Sequence, residues 1–138
     1  HLAYISSVII LFAGNFTKPA IASKPASATS QSSIEVTTTS QPGGELKLQF
    51  KTVPAKGLKI NTDGPWSLEF KDHPGLEVTT KKLGKGDFAE SIPGFTMTSK
   101  PSAKSGKISF KMVVFVCTET KSQCFRDVHQ GSVDWAAK

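Results

Sequence analysis

From Ile108 the chain alternates strictly. Ile108, Phe110, Met112, Val114 and Val116 fall on one side of an extended backbone, with Ser109 and Lys111 on the other. From Met112 to Cys117 the second side turns apolar too, through Val113, Phe115 and Cys117. Alternation that merges into a continuous apolar run predicts a strand entering the middle of a sandwich, covered on both sides. The run stops at Cys117. Six polar residues follow, Thr118 to Gln123, and then Cys124, the only other cysteine. The six suit the loop of a hairpin, which sets the two cysteines opposite each other. A non-hydrogen-bonded antiparallel pair holds its Cα atoms ~4.5 Å apart, a span that a disulfide bridges.

The rest of the folded part repeats the pattern in shorter pieces. Leu46, Leu48 and Phe50 alternate with polar residues between Glu45 and Val53. Trp66, Leu68 and Phe70 alternate again, and Leu58–Ile60, Leu76–Val78 and Phe95–Met97 read as short strands. Ile34–Thr39 reads as a first edge strand, and Val128–Trp135 as the last strand. Pro42-Gly-Gly, Pro54-Ala-Lys-Gly57, Asn61-Thr-Asp-Gly-Pro65 and His73-Pro-Gly75 are turns between them. Lys81–Ile92 is a long connection that Phe88 and Ile92 pin to the core. No stretch carries the i, i+3, i+4, i+7 recurrence of an amphipathic helix. The fold class expected is an all-β, antiparallel sandwich.

The first residues differ in kind. Leu2–Phe16 is largely apolar and uncharged, and it is short of the ~20 residues that span a bilayer. Ala20-Ile21-Ala22 before Ser23 is an A-x-A cleavage pattern. Residues 1–22 therefore read as a secretory signal peptide, incomplete at its start, with an uncleaved anchor as the alternative. Once cleaved, the chain would hold no stable membrane insertion. Residues 23–33, rich in Ser, Ala, Thr and Pro, read as a flexible linker. Residues 34–138 would be the single folded domain.

Charge excludes one class. The net charge is +6, and the predicted mature part loses only Lys18 among the charged residues, leaving +5. Its lysines are scattered and alternate with apolar residues, as in Leu46-Lys-Leu48-Gln-Phe50-Lys51. Nucleic-acid binders cluster basic residues and interleave stacking aromatics. A solvated outer face fits better, and no nucleic-acid partner is expected.

Export places both cysteines in an oxidising compartment, periplasmic or extracellular, where a pair is normally a disulfide. Two roles stand open for Cys117 and Cys124. One is a hairpin staple, worth about 2–3 kcal/mol in the chain-entropy account of so short a loop. The other is a dithiol that exchanges electrons with a partner through an accessible thiolate. Lys121 and Arg126 would lower a thiol pKa, and Glu119 and Asp127 would oppose them. His129 and His73 join the cysteines as conceivable metal ligands. At strand parity, though, His129 points away from Cys124, the spacings are not those of zinc sites, and no metal or other cofactor is expected. His73 reads as a turn residue. No nucleophile elbow or phosphate loop occurs, so neither a hydrolase nor a transferase is indicated. Asp63 and Asp72 flank Trp66, but turn formation accounts for Asp63. Trp66 and Trp135 read as core or sheet-edge aromatics.

Three segments carry a resemblance: Gly57-Leu-Lys-Ile-Asn61-Thr-Asp-Gly-Pro65-Trp66-Ser-Leu68, Ile108 to Cys117, and Cys124-Phe-Arg126. Together they resemble the N-terminal periplasmic domain of the thiol:disulfide interchange protein DsbD and its stand-alone relatives, over about Gly44 to Trp135. The resemblance implies an immunoglobulin-like sandwich with Cys117 and Cys124 as the redox pair. It also implies partners that are thioredoxin-like periplasmic proteins or a membrane thiol reductase. The chain departs from the family pattern in three places. It has six residues between the cysteines where five are usual. Phe115-Val116-Cys117 stands where the family has Tyr-x-Gly-Cys, and Phe125-Arg126-Asp127 replaces an aromatic-Pro-Pro. The function expected is an exported thiol:disulfide exchange module fed by an outside electron source. The alternative is a non-catalytic binding or accessory sandwich with a structural disulfide.

Overall fold

The computed structural model describes residues 25–137. The expected signal peptide and the first two linker residues lie outside that range. Among the described residues ten strands form: β1 (Pro25–Ala28), β2 (Ser32–Ser40), β3 (Leu46–Pro54), β4 (Leu58–Ile60), β5 (Ser67–Phe70), β6 (Leu76–Glu77), β7 (Lys82–Leu83), β8 (Gly94–Pro101), β9 (Ser105–Thr118) and β10 (Cys124–Ala136). One sheet has the order β1-β2-β3-β8-β6. The other has β10-β9-β5-β7, with β4 also on β9. All pairings between these strands are antiparallel. The all-β sandwich expected from the alternation is the architecture observed.

The inner faces follow the alternation. Leu46, Leu48 and Phe50 of β3 meet Ile108, Phe110, Met112 and Val114 of β9, all at most 2% exposed. Each such side chain stabilises the fold by about 1.5–3 kcal/mol relative to exposure. Phe50 packs edge-on against Phe110, with centroids 5.3 Å apart, and tilts against Phe70 at 5.7 Å. Phe88 does pin its long connection, stacking on Trp66 at 4.2 Å and meeting Phe95 at 6.0 Å. That connection also contains β7 and a 3-10 turn at Lys85–Asp87. The short strand expected at Phe95–Met97 extends over eight residues as β8, because β3 pairs with it from Leu46 to Lys51.

The stretch expected to be linker contributes structure. Pro25–Ala28 is β1, and Ser32, at 3% exposure, opens β2. Val36 and its neighbours are therefore not the start of an edge strand. Composition misleads here because these residues are anchored by hydroxyl groups, with only Ala26 packed against the apolar core.

β9 is central. β10 runs along one side of it for thirteen pairs, and β5 and β4 share the other. Asn61 N–H donates to the Phe115 carbonyl, and Ser67 stands opposite Val113. Between these points the β4–β5 segment has five residues where β9 has one. The surplus folds over the outer face of β9. An Asx turn shapes it, with Asp63 N–H donating to Asn61 Oδ1, and Trp66 Nε1–H donates to the Asn61 carbonyl. Gly64 rests directly on the Phe115 ring. A Cβ there would lie 2.4 Å from Phe115 Cγ. Gly64→Ala is therefore expected to lower stability by about 1–3 kcal/mol, the usual cost of overpacking. Urea denaturation checks this, and an unchanged midpoint would contradict the contact.

Candidate functional site

The hairpin register places Cys124 opposite Cys117, as the sequence pattern required. Thr118 N–H donates to the Gln123 carbonyl at 2.9 Å. That makes 118–123 the hydrogen-bonded pair, and the adjacent 117–124 the non-hydrogen-bonded one. The cysteines form a disulfide with their Cα atoms 4.0 Å apart. They lie on the outer face of the sheet, since Val116 and Val114 face inward from β9.

The two ends of the bond differ in access. Cys117 is 2% exposed, while Cys124, the first residue of the outermost strand, is exposed. Trp135 sits at the far end of the hairpin, opposite Gly106. Phe125 has the opposite parity to Cys124. Neither aromatic is therefore placed to roof the sulfurs. Phe115 shares their face but is held under Gly64.

The charges around the bond are sorted by the same register. Arg126 is on the outer face, opposite Phe115, two residues from Cys124. Lys121 reaches Asp63 at 3.8 Å, and Lys85 donates to the Asp63 carbonyl at 3.1 Å. Asp127 does not oppose a thiolate as the sequence led us to expect, because it turns inward. Lys59, which the sequence did not single out, stands opposite Cys117 on β4 and holds Glu119 at 3.5 Å.

A second cluster lies across the sandwich edge, and sequence reasoning missed it. Asp127 and His129 face inward from β10, 7% and 0% exposed. Thr29 and Ser32 donate their hydroxyl protons to Asp127 Oδ2, at 2.7 and 2.5 Å. With its proton so committed, Ser32 Oγ accepts from His129 Nε2–H at 2.7 Å. His129 Nδ1 then accepts from the Ser27 hydroxyl at 3.0 Å. Ser, His and Asp are all present, but serine stands between the other two. In a hydrolytic triad histidine holds that place and removes the serine proton. Here the serine proton goes to the carboxylate, and Ser32 is 3% exposed. The cluster is a buried seam joining β1 and β2 to β10. Gly131 lets β1 come close, since a Cβ there would lie 2.7 Å from the Ala26 carbonyl oxygen.

The remaining candidates fall apart. Asp63 lies beside the cysteine loop, whereas the Asp72 carbonyl accepts from Ser109 N–H further back along β9. His73 is a turn residue, its carbonyl accepting from Leu76 N–H at 3.1 Å. Trp66 and Trp135 are core residues at 1% and 2% exposure. Among the described residues no group of three or more His, Cys, Asp or Glu is arranged to hold a metal ion. No helix among them is long and apolar enough to cross a membrane. A cleft of about 600 Å³ opens between Thr38–Ser40 and Asp134–Ala136, at the end of the hairpin away from the disulfide.

No protein-family model matches the chain, and neither the curated proteins nor the solved structures include a match.

Burial lowers the pKa of His129 from its ordinary 6.5, and the nearby Asp127 charge offsets part of that. Below pH 6.5 the unfolded chain binds a proton that the folded chain still refuses. Stability is therefore fully present above pH 6.5. It is lost as pH falls, until the folded histidine also takes the proton. The expected slope is at most about 1.4 kcal/mol per pH unit for this one group. Denaturation midpoints between pH 7.5 and 5 check it, and His129→Gln should flatten that part of the profile. An equal slope in parent and variant would contradict the assignment.

Proposed function

We propose that the chain is an exported thiol:disulfide exchange module working through Cys117 and Cys124. The observation that supports it best is the unequal exposure of the two cysteines, Cys117 buried and Cys124 exposed. Exchange proceeds by in-line attack of a thiolate on one sulfur, with the other leaving. A bond with one exposed and one buried end presents a single point of attack, Cys124. The resemblance of the segments around Trp66 and the cysteines to the DsbD N-terminal domain supports the same reading.

A partner dithiol, from a membrane thiol reductase or another exported protein, supplies a thiolate that attacks Cys124 Sγ. The Cys117–Cys124 bond breaks, a mixed disulfide forms, and Cys117 leaves as a thiolate. The partner's second thiolate then displaces Cys124, and two electrons and two protons have passed to this chain. The reverse sequence delivers them to the disulfide of a thioredoxin-like acceptor. Cys124 attacks, and Cys117 resolves the mixed disulfide. The same bond also closes a hairpin, and the burial of Cys117 favours a second reading, an accessory sandwich with a structural staple.

A thioredoxin-like protein stripped of its resolving cysteine separates the two. Mixed with the oxidised chain, it should form a mixed disulfide located at Cys124 by peptide mass spectrometry. Pre-oxidised with a small disulfide, it should also be trapped by Cys117→Ser and not by Cys124→Ser. Failure of the folded chain to form any adduct would leave the staple.

A further inference from the structure

Lys59, Cys117 and Cys124 form one row across three neighbouring strands. Lys59 of β4 pairs with Cys117 of β9, which pairs with Cys124 of β10. Asn61 N–H bonds to the Phe115 carbonyl, so the 59–117 pair, two residues on, is again a hydrogen-bonded one. Its members project to the same face, with Cβ atoms roughly 5 Å apart. The inward neighbours Ile60 and Val116 pack on the core, which leaves the row on the outer face.

We propose that Lys59 is the positioning residue of the pair, the cation that stabilises Cys117 as a thiolate when the disulfide opens. The proposal rests on the exchange reading, in which Cys117 is the leaving sulfur. A leaving thiolate departs faster as its pKa falls. An opposite charge within about 4–6 Å favours the ionised form. The other charged groups around the row are accounted for. Glu119, from the hairpin loop, holds the Lys59 ammonium at 3.5 Å and opposes its effect. Lys121 is turned to Asp63 at 3.8 Å. Arg126 lies one row away, opposite Phe115, and Asp127 faces the core. Lys59 is thus the cation in register with the buried sulfur, and Glu119 is its counter-charge.

The device gives the two partners opposite effects. Removing the ammonium raises the thiol pKa and disfavours the reduced form. Removing the carboxylate frees the ammonium and does the reverse. Both side chains are largely exposed, at 66% and 59%, so the effects shrink in high salt.

The test is the pH profile of thiolate ultraviolet absorbance in the reduced chain, and in Cys124→Ser, where Cys117 is the only thiol. Circular dichroism reports whether each stays folded, and the reduced parent serves if the serine variant does not. Lys59→Met, which keeps the stem, should raise the midpoint by about half a unit to one unit, leaving roughly three- to tenfold less thiolate at neutral pH. Lys59→Arg should restore the parent profile, and Glu119→Gln should lower the midpoint. A purely structural role for Lys59 would move none of these in opposite directions. Superimposable Met and Gln profiles, or shifts of the same sign, overturn the proposal. If that happens while trapping at Cys124 persists, Lys59 alone loses its role. Opposed shifts without trapping uphold the electrostatics and remove the exchange reading.

Discussion

The antiparallel ladder between β9 and β10 decides which way both strands face along their whole length. With Cys117 opposite Cys124, Met112 must stand opposite His129 and Gly106 opposite Trp135. A slip of one residue would turn every one of these side chains over. It would carry Asp127 and His129 out of the seam and Cys124 inward. The register is held at one end by the disulfide and the 118–123 hydrogen bond, and at the other by the seat of Trp135 over Gly75 and Gly106. The core, the polar seam and the row of Lys59, Cys117 and Cys124 are three consequences of this single alignment.

The seam and the core do different work. Apolar packing of β3 on β9 is non-directional and holds the sheets together. The Asp127–Ser32–His129 network is directional, because the Ser32 proton goes to Asp127 while its oxygen accepts from His129. It fixes the strand pair β1–β2 to the outermost strand of the opposite sheet and satisfies a carboxylate that would otherwise be costly to bury. Ser27 of β1 bonds the His129 ring and Thr29 just after β1 bonds Asp127, so the N-terminal part of the fold is tied to one buried histidine and its carboxylate neighbour.

The sequence carried the hairpin plainly, because apolar residues recur with period two and stop at a cysteine. It also carried β3 and β5, each by three alternating apolar positions. It did not carry β1, which has no apolar alternation; Ser27 within it, and Thr29 and Ser32 after it, find their partners about a hundred residues away. The seam was within reach once the cysteines fixed the register. Residues 127 and 129 then had to face inward beside Val114 and Met112, where a carboxylate and an imidazole need polar partners. Lys59 was harder. Its place depends on the four-residue surplus between β4 and β5, and nothing in that loop's composition states how the strands realign across it. Lys121 and Arg126, nearer in sequence to the cysteines, stand further from the buried sulfur in register than Lys59 does.

Whether the Cys117–Cys124 bond opens under physiological conditions separates an exchange module from a stapled hairpin. Equilibrating the folded chain in glutathione buffers and quantifying the free thiols gives its reduction potential. An exchange module is expected within about −120 to −270 mV, the range of known thiol–disulfide exchange proteins. A potential below about −300 mV, where structural disulfides of exported proteins lie, would contradict it.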